Sequence, residues 1–428
     1  MDVWRRLLLA VVCGVAVASV YAAQPVLAPM GDSLGVPAGQ LGLIVSIGQL
    51  GYLVGLVLLV PLGDLVTNRR RLIAGHLVAT AAGLLLTSVA LTSWLAFAGL
   101  ALAGMFAVVV QTAVAYVASV SPPAERGRNI GVVTSGVVVG ILGARVVTGV
   151  FAEQWGWRSV YAALGVLALG LAVLVLRALP SDERSSRPAG YRQVVVAFGA
   201  LFGERTFLTR GLIAFFLFAS FGTLWSGLSL PLTDAPWHFG ESQVGMLGVA
   251  GLAGSLGAAR AGRWADTGRA VPMAGFALAL LIVSWAAIAQ LPWSLWLLIV
   301  GVMVLDFAVQ VVHVSNQHLL TSTYMGRASS AIGGYMVFYS LGSALGAAAT
   351  TSVFTSYGWT GSSILGAGFA VCALVAWVAG RGGSPSAPKA VSGAPKTCGH
   401  PGAPATPPGS GTHRPPADRP RTAPETGP

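Results

Sequence analysis

The sequence predicts an all-α membrane protein, with twelve transmembrane helices in two six-helix pseudo-symmetric halves. Three observations carry that expectation. Apolar residues make up 55% of the chain and charged residues only 9%, with mean hydropathy +0.75, whereas a soluble domain holds about 25% charged residues. Apolar runs of helix length follow one another from residue 7 to residue 380. Landmarks also recur at a spacing close to half the chain: Asp64 and Asp266 lie 202 residues apart, Gly127-Arg128 and Gly326-Arg327 lie 199 apart, and Gly156-Trp157 and Gly358-Trp359 lie 202 apart.

Taken in order, the expected spans are 7–29, 40–62, 72–91, 94–119, 130–152 and 159–178, then 211–230, 243–262, 271–289, 294–319, 329–351 and 361–380. Each is near the ~20 residues a bilayer core requires. Helix is the expected state, because an unpaired backbone group is too costly in hydrocarbon and no ten-residue alternation suggests a barrel. The basic start Trp4-Arg5-Arg6 followed by apolar sequence resembles a secretory signal. Its apolar run is too long for a signal core, so it is read as an uncleaved first span.

Charge sets the orientation. Of 25 Lys and Arg residues, 17 fall at the N-terminus and in alternate loops and six in the C-terminal tail, leaving Arg158 in an opposite loop and Arg145 inside a span. The positive-inside rule then places both termini in the cytoplasm of a multi-pass plasma-membrane protein. The domain reading is 1–178 for the first half, 179–209 for a cytoplasmic linker, 210–380 for the second half and 381–428 for a disordered tail. Within the linker, Tyr191 to Phe202 reads as a short amphipathic piece. The tail is rich in Pro, Gly, Ala, Ser and Thr and has too little apolar surface to fold.

Several functions lack material. The net charge of +11 is spread through short gaps between apolar runs, which is not a phosphate-binding face, so no nucleic-acid partner is expected. Cys13, Cys372 and Cys398 have neither a paired framework nor metal-ligand spacing. No GxSxG, HExxH, phosphate loop or acid cluster points to an enzyme, a metal or a cofactor. A channel would favour rings of charge or repeated filter loops.

Polar groups inside the spans are the better guide. A charge at mid-bilayer costs at least about 2.5 kcal/mol, so it is seldom accidental. Of 14 acids only Asp306 sits deep in a span, about 17 Å from the outer end of the tenth helix at 1.5 Å per residue. Asp306, Gln310, His313 and Gln317 recur at steps of four, three and four, hence on one helical face. That stripe lines a water-filled cavity or forms a buried network gluing helices together. On the cavity reading, Asp306 and His313 are the candidates for proton coupling. Arg145, in the fifth span, binds a substrate group or pairs with an acid, with Glu241 and Asp306 as the partners within geometric reach. Further cavity candidates are Tyr21, Gln24 and Pro25 on helix 1, Gln111, Thr112 and Tyr116 on helix 4, Trp225 on helix 7 and Tyr339 on helix 11. The proline kinks its helix. His76 reads as a satisfied interface histidine.

These residues resemble the major facilitator superfamily, specifically its twelve-span drug, sugar and nucleoside efflux branch of drug:proton antiporters, over about residues 5–380. The family's loop signature Gly-x-Leu-Ala-Asp-Arg-x-Gly-Arg-Lys is met at Leu62, Asp64 and Arg69. Val60 stands for its first glycine, Leu65 for its arginine, and Thr67 and Asn68 for its Gly-Arg. In that family the loop acts as a conformational switch, a role the resemblance gives to Asp64 and Arg69 and, in the second copy, Asp266 and Arg269. The family's span-4 arginine has no counterpart, since 94–120 is free of charge. The family's span-5 antiporter motif aligns on Gly131, Gly140, Ala144, Arg145, Thr148 and Gly149, implying close packing of helices 5 and 8. The resemblance implies proton-coupled efflux of a small organic molecule (a drug, antibiotic, nucleoside or sugar) by a monomer in the lipid bilayer. A proton-coupled uptake symporter for a small metabolite is the alternative.

Overall fold

The structure, a computed structural model, describes residues 1–60, 66, 68–122, 125–181, 199–257, 270–324 and 327–381, the side chains of 328, 329 and 381 excepted. Every regular element among them is helical. Span 1 is Val3–Tyr21 continued by Leu27–Leu34, and the two pieces are separated by a 3-10 turn, Gln24–Val26. Pro25 has no N–H to continue the α ladder, so the helix breaks there as expected. Span 2 is Gly42–Leu58 and span 3 is Arg69–Ser88, whose first turn is capped by Asn68 Oδ1 accepting from Arg71 N at 3.2 Å. Span 4 is Ser93–Phe106 and Val109–Val120, span 5 Arg126–Trp155 and span 6 Trp157–Ala178. Span 7 is Arg205–Gly227 followed by Ser229–Thr233, span 8 Glu241–Gly257, span 9 Ala270–Ile288 and span 10 Leu295–Thr323.

Spans 11 and 12 run on as Ala328–Arg381, divided by Gly358 at φ 61°. Gly156, between spans 5 and 6, has φ 75°. Nothing lies within 4 Å of a Cβ at either glycine, so backbone conformation rather than space demands glycine there. Each is followed by a tryptophan tied across the bundle: Trp157 Nε1 donates to Ser33 Oγ at 2.9 Å and Trp359 Nε1 to the Ile288 carbonyl at 3.0 Å. Among the described residues, ten helical stretches are long and apolar enough to cross a membrane; Ser330–Gly380 counts as one of them but makes two crossings. With Glu241–Gly257, 17 residues long, the described helices are consistent with the twelve spans read from sequence.

Three apolar cores hold the bundle. One draws mainly on spans 7–12 but takes in Tyr21 and Leu142, and a second lies entirely within residues 8–179. The third gathers Leu27, Met30, Ile44 and Tyr161 together with Leu230 and Ala347, at the end remote from Met1. That end is where spans 1–6 meet spans 7–12. Thr351 Oγ1 accepts from Gly42 N at 3.1 Å and approaches the Gly39 carbonyl at 3.2 Å, while Ser46 Oγ donates to the Ala344 carbonyl at 2.7 Å. A Cβ on Gly42 would overlap the Ala347 carbonyl, and one on Gly149 of span 5 would overlap the Glu241 carbonyl of span 8. Toward the termini, Gly127 and Gly131 of span 5 have no atom within 4 Å of a Cβ position. Among the described residues, the bundle is therefore closed at its remote end.

The span-5 glycines correct one expectation. Gly149 does meet span 8, but Gly140 packs on Gly14 of span 1 and Gly131 faces open space. Nine residues turn a helix by about 2.5 turns, so successive motif glycines point to opposite sides. Asp64, Asp266 and Arg269 lie outside the described residues, as do most of the linker and the tail. Arg69 opens span 3, buried, with Nη1 3.3 Å from the Ala115 carbonyl. Of the linker's amphipathic piece, Phe202 is described; its ring stacks on Phe338 at 5.6 Å.

Overpacking a helix contact costs roughly 1–3 kcal/mol, a 5–150-fold shift in an equilibrium. Gly42→Val and Gly149→Val are each expected to shift the protein by that factor away from remote-end closure. Cross-linking of Gly39→Cys to Thr355→Cys in a protein otherwise freed of cysteine checks this, because a Cβ on Gly39 sits 3.3 Å from Thr355 Oγ1. Undiminished cross-linking in both valine variants would contradict it.

Candidate functional site

Midway along the bundle a group of buried polar side chains converges on Arg145. Its guanidinium is 2% exposed, so bulk solvent does not supply its hydrogen bonds. Nε donates to Gln24 Oε1 at 2.9 Å and Nη1 to the Ile141 carbonyl at 3.1 Å, while Nη2 has no partner. The helix break at Pro25 sets Gln24 beside the guanidinium, and Gln24 Nε2 continues to Ser226 Oγ of span 7 at 3.4 Å. The guanidinium carbon lies 3.8 Å above the centre of the Trp225 ring, with Phe221 at 5.6 Å and Tyr21 at 5.8 Å. A desolvated cation over an indole face is worth about 2 kcal/mol or more. Arg145 is thus held by spans 1 and 5 and stacked on span 7.

Asp306 of span 10 is also 2% exposed, and its Oδ2 has no hydrogen-bond partner. It lies near the Trp225 edge and is within electrostatic range of Arg145. The approach is made possible by Gly251 of span 8, where a Cβ would stand 2.7 Å from Asp306 Oδ2 and 2.8 Å from Trp225 Cζ2. Gly245 and Gly248, the preceding steps on the same face, admit the Arg145 and Leu142 backbones. The indole N–H of Trp225 interacts with Asp306 but, among the described residues, meets no acceptor in hydrogen-bond geometry. Each such group carries a penalty of roughly 1–3 kcal/mol if nothing fills the gap, which makes the cluster a candidate for holding water or a ligand.

The structure brings together Tyr21, Gln24, Arg145, Trp225, Asp306 and Tyr339, with the Tyr21 and Tyr339 hydroxyls paired across spans 1 and 11. Gln111 joins through Tyr52, donating from Nε2 to the Tyr52 hydroxyl at 2.7 Å. Tyr116 does not join: its hydroxyl donates to the Pro180 carbonyl at 2.8 Å, inside the core of the first six spans. On span 10 the polar stripe divides. His313 Nε2 meets Gln317 Nε2 at 3.1 Å and its Nδ1 meets the Tyr335 hydroxyl at 3.0 Å, with the Phe218 ring 5.2 Å away. Both ring nitrogens of His313 are thus engaged, with donor and acceptor roles set by its tautomer. Among the described residues no hydrogen bond links Asp306 to Gln310 or His313. Glu241 makes no bond to Arg145; its backbone packs on Gly149 instead. His76 leans on Phe106 at 5.7 Å with Nδ1 unpaired, contrary to its expected satisfaction.

Sequence reading missed Gln49, Tyr52, Ser226, Gly251 and Ser343. Gln49 and Tyr52 lie three apart on an apolar span, the same signal that singled out the stripe on span 10. Gly251 gives no such signal, because its role is the absence of a side chain where two other helices meet.

Residues 9–294, and again 211–419, match the model of the Major Facilitator Superfamily. A putative uncharacterized transporter of Escherichia coli, YgaY, is 36% identical over 371 residues, covering 86% of this chain and 94% of the relative. A chloramphenicol resistance protein of Streptomyces lividans is 32% identical over 267 residues, covering 61% of this chain and 66% of the relative. Among solved structures, a bacterial homolog to the human lysosomal transporter Spinster, in an inward-facing and unoccupied conformation, superposes with TM-score 0.73 at 15% identity over 88% of this chain and 96% of that one.

Arg145 uses two nitrogens and its planar face at once, and lysine reproduces neither the fork nor the stack. Arg145→Lys and Arg145→Ala are therefore expected to reduce activity alike, by more than tenfold, the equivalent of losing about 1.4 kcal/mol. Transport by the lysine variant within twofold of wild type would show that charge alone suffices.

Proposed function

The chain belongs to the Major Facilitator Superfamily and is a multi-pass membrane transporter rather than an enzyme, and from that premise we propose that it exports a small organic molecule by alternating access, driven by protons. The observation that carries this reading is the convergence, across the two sets of six spans, of a buried cation and a buried carboxyl on one indole. Arg145 reaches Trp225 from span 5 and Asp306 reaches it from span 10, each with a polar atom unpartnered. A site built this way holds substrate where the two repeats meet, near the midplane.

In this mechanism the remote-end contacts of spans 2 with 11 and 5 with 8 form the outer closure of an inward-facing state, with both termini in the cytoplasm of the plasma membrane. Rocking of the two repeats breaks those contacts and reforms others on the inner side. Asp306 is the proton carrier: a carboxyl with one oxygen free can change charge while its neighbours keep their places. Substrate favours the charged carrier, so uptake of an external proton and release of substrate outside are linked. His313, Gln310 and Gln317, on the same helical face but not hydrogen-bonded to Asp306, extend the route inward through water when the cavity is open to the cytoplasm. The small-residue contact of Gly149 with span 8 and the likeness to a chloramphenicol resistance protein support export over uptake. The transporter works as a monomer.

Asp306→Asn keeps the shape and removes the titration. It is expected to abolish pH-gradient-driven accumulation of antibiotic in everted vesicles, with chloramphenicol the first probe of a susceptibility panel. Downhill exchange by the folded variant should survive. Substrate-induced proton movement equal to wild type would make Asp306 structural.

A further inference from the structure

Gln49 is, among the described residues, the side-chain amide of the midplane cluster with neither nitrogen nor oxygen hydrogen-bonded. It is 1% exposed and sits on span 2, where that span faces span 11. Its position is fixed by the backbone, because its own carbonyl accepts from Ser340 Oγ at 2.5 Å. The side chain stands beside the Tyr21 hydroxyl, close enough to interact with it but outside hydrogen-bond geometry, and that hydroxyl pairs with Tyr339. Ser343 Oγ, also beside Tyr21, is unpaired too.

A buried amide left wholly unpaired is rare, and an unobserved partner is its ordinary explanation. The chemistry of that partner is constrained. A side-chain amide offers one acceptor and a two-hydrogen donor side by side. A cation satisfies only the oxygen, and an anion only the nitrogen. A second amide edge satisfies both together. The remaining open groups of the cluster, Arg145 Nη2 and Trp225 Nε1 as donors and Asp306 Oδ2 as acceptor, then serve other polar atoms of the same molecule.

We propose that Gln49 determines specificity, reading a substrate that carries a carboxamide-type edge: an amide, lactam, urea or nucleobase. This rests on the transport reading above and names the substrate class of that same site. A site built to pair a polar edge discriminates strongly against the analogue lacking it, because the site's own groups are then left unpaired.

The test uses the full-length protein, wild type, Gln49→Met and Gln49→Glu. Ligand binding is read by thermal unfolding in detergent, and transport by proteoliposomes under a pH gradient. Probes come as matched pairs, chloramphenicol against its deacylated amine and nicotinamide against methyl nicotinate. Wild type is expected to bind the amide member at least about tenfold more tightly, the equivalent of one hydrogen-bonded edge. Both variants should lose that discrimination while remaining folded, each giving a cooperative unfolding transition without ligand; methionine removes both polar atoms and glutamate removes the donor. Discrimination that survives in both variants, or wild type that binds the non-amide members as well or binds no amide at all, overturns the proposal. Binding and gradient-driven transport confined to the non-amide probes overturns it and leaves the transport reading standing. Amide binding that depends on Gln49 without gradient-driven transport upholds this site and overturns proton-coupled export.

Discussion

The stacking of the Arg145 guanidinium on Trp225 is the contact on which the rest of the site depends. A charge at this depth needs most of its donors occupied and its face covered. Each requirement has a visible consequence in the fold. Pro25 breaks span 1 so that Gln24 can accept from Nε. Span 7 supplies the indole. Span 8 gives up side chains at Gly245, Gly248 and Gly251 so that its backbone can pass Arg145, Leu142 and Asp306 at close range. The cation thereby joins helices from both sets of six spans near the middle of the bundle, just below the polar and apolar seal at the remote end.

What periodicity and composition govern was legible in the sequence. Lipid accepts only backbone whose hydrogen bonds are satisfied internally, so long apolar runs had one regular form available. The repeat was also legible where local backbone requires a particular residue: Gly156 and Gly358 both adopt positive φ and both precede a tryptophan that ties a span end to a neighbour. At the candidate site, Arg145, Asp306, Gln24, Tyr21, Trp225 and Tyr339 announced themselves as polar or large aromatic groups at depths where such groups are scarce.

The rest depended on which way a side chain turns and on what its neighbours lack. Tyr116 has the residue type and depth of a cavity residue, but its rotation about span 4 sends it to the Pro180 carbonyl. The span-5 glycines read as one packing surface, whereas their nine-residue spacing alternates faces, so Gly140 serves span 1 and Gly149 serves span 8. Gln49 carried the right signal and was passed over because only three dimensions reveal that its amide is unpaired. The polar stripe on span 10 is continuous on the helix yet divided in its partners, with Asp306 toward spans 7 and 8 and His313 toward span 11.

The central claim is that the Arg145–Trp225 contact, just below the remote-end seal, ties the two sets of six spans together and so supports the closure of spans 2 and 11 above it. Hydrogen–deuterium exchange of wild type and Trp225→Ala in the same lipid measures this directly. The account predicts faster exchange in the variant at 38–49 and 343–355, where spans 2 and 11 seal against each other, with exchange at the terminal-side ends of the spans unchanged. Identical exchange at both stretches in the two proteins would contradict it.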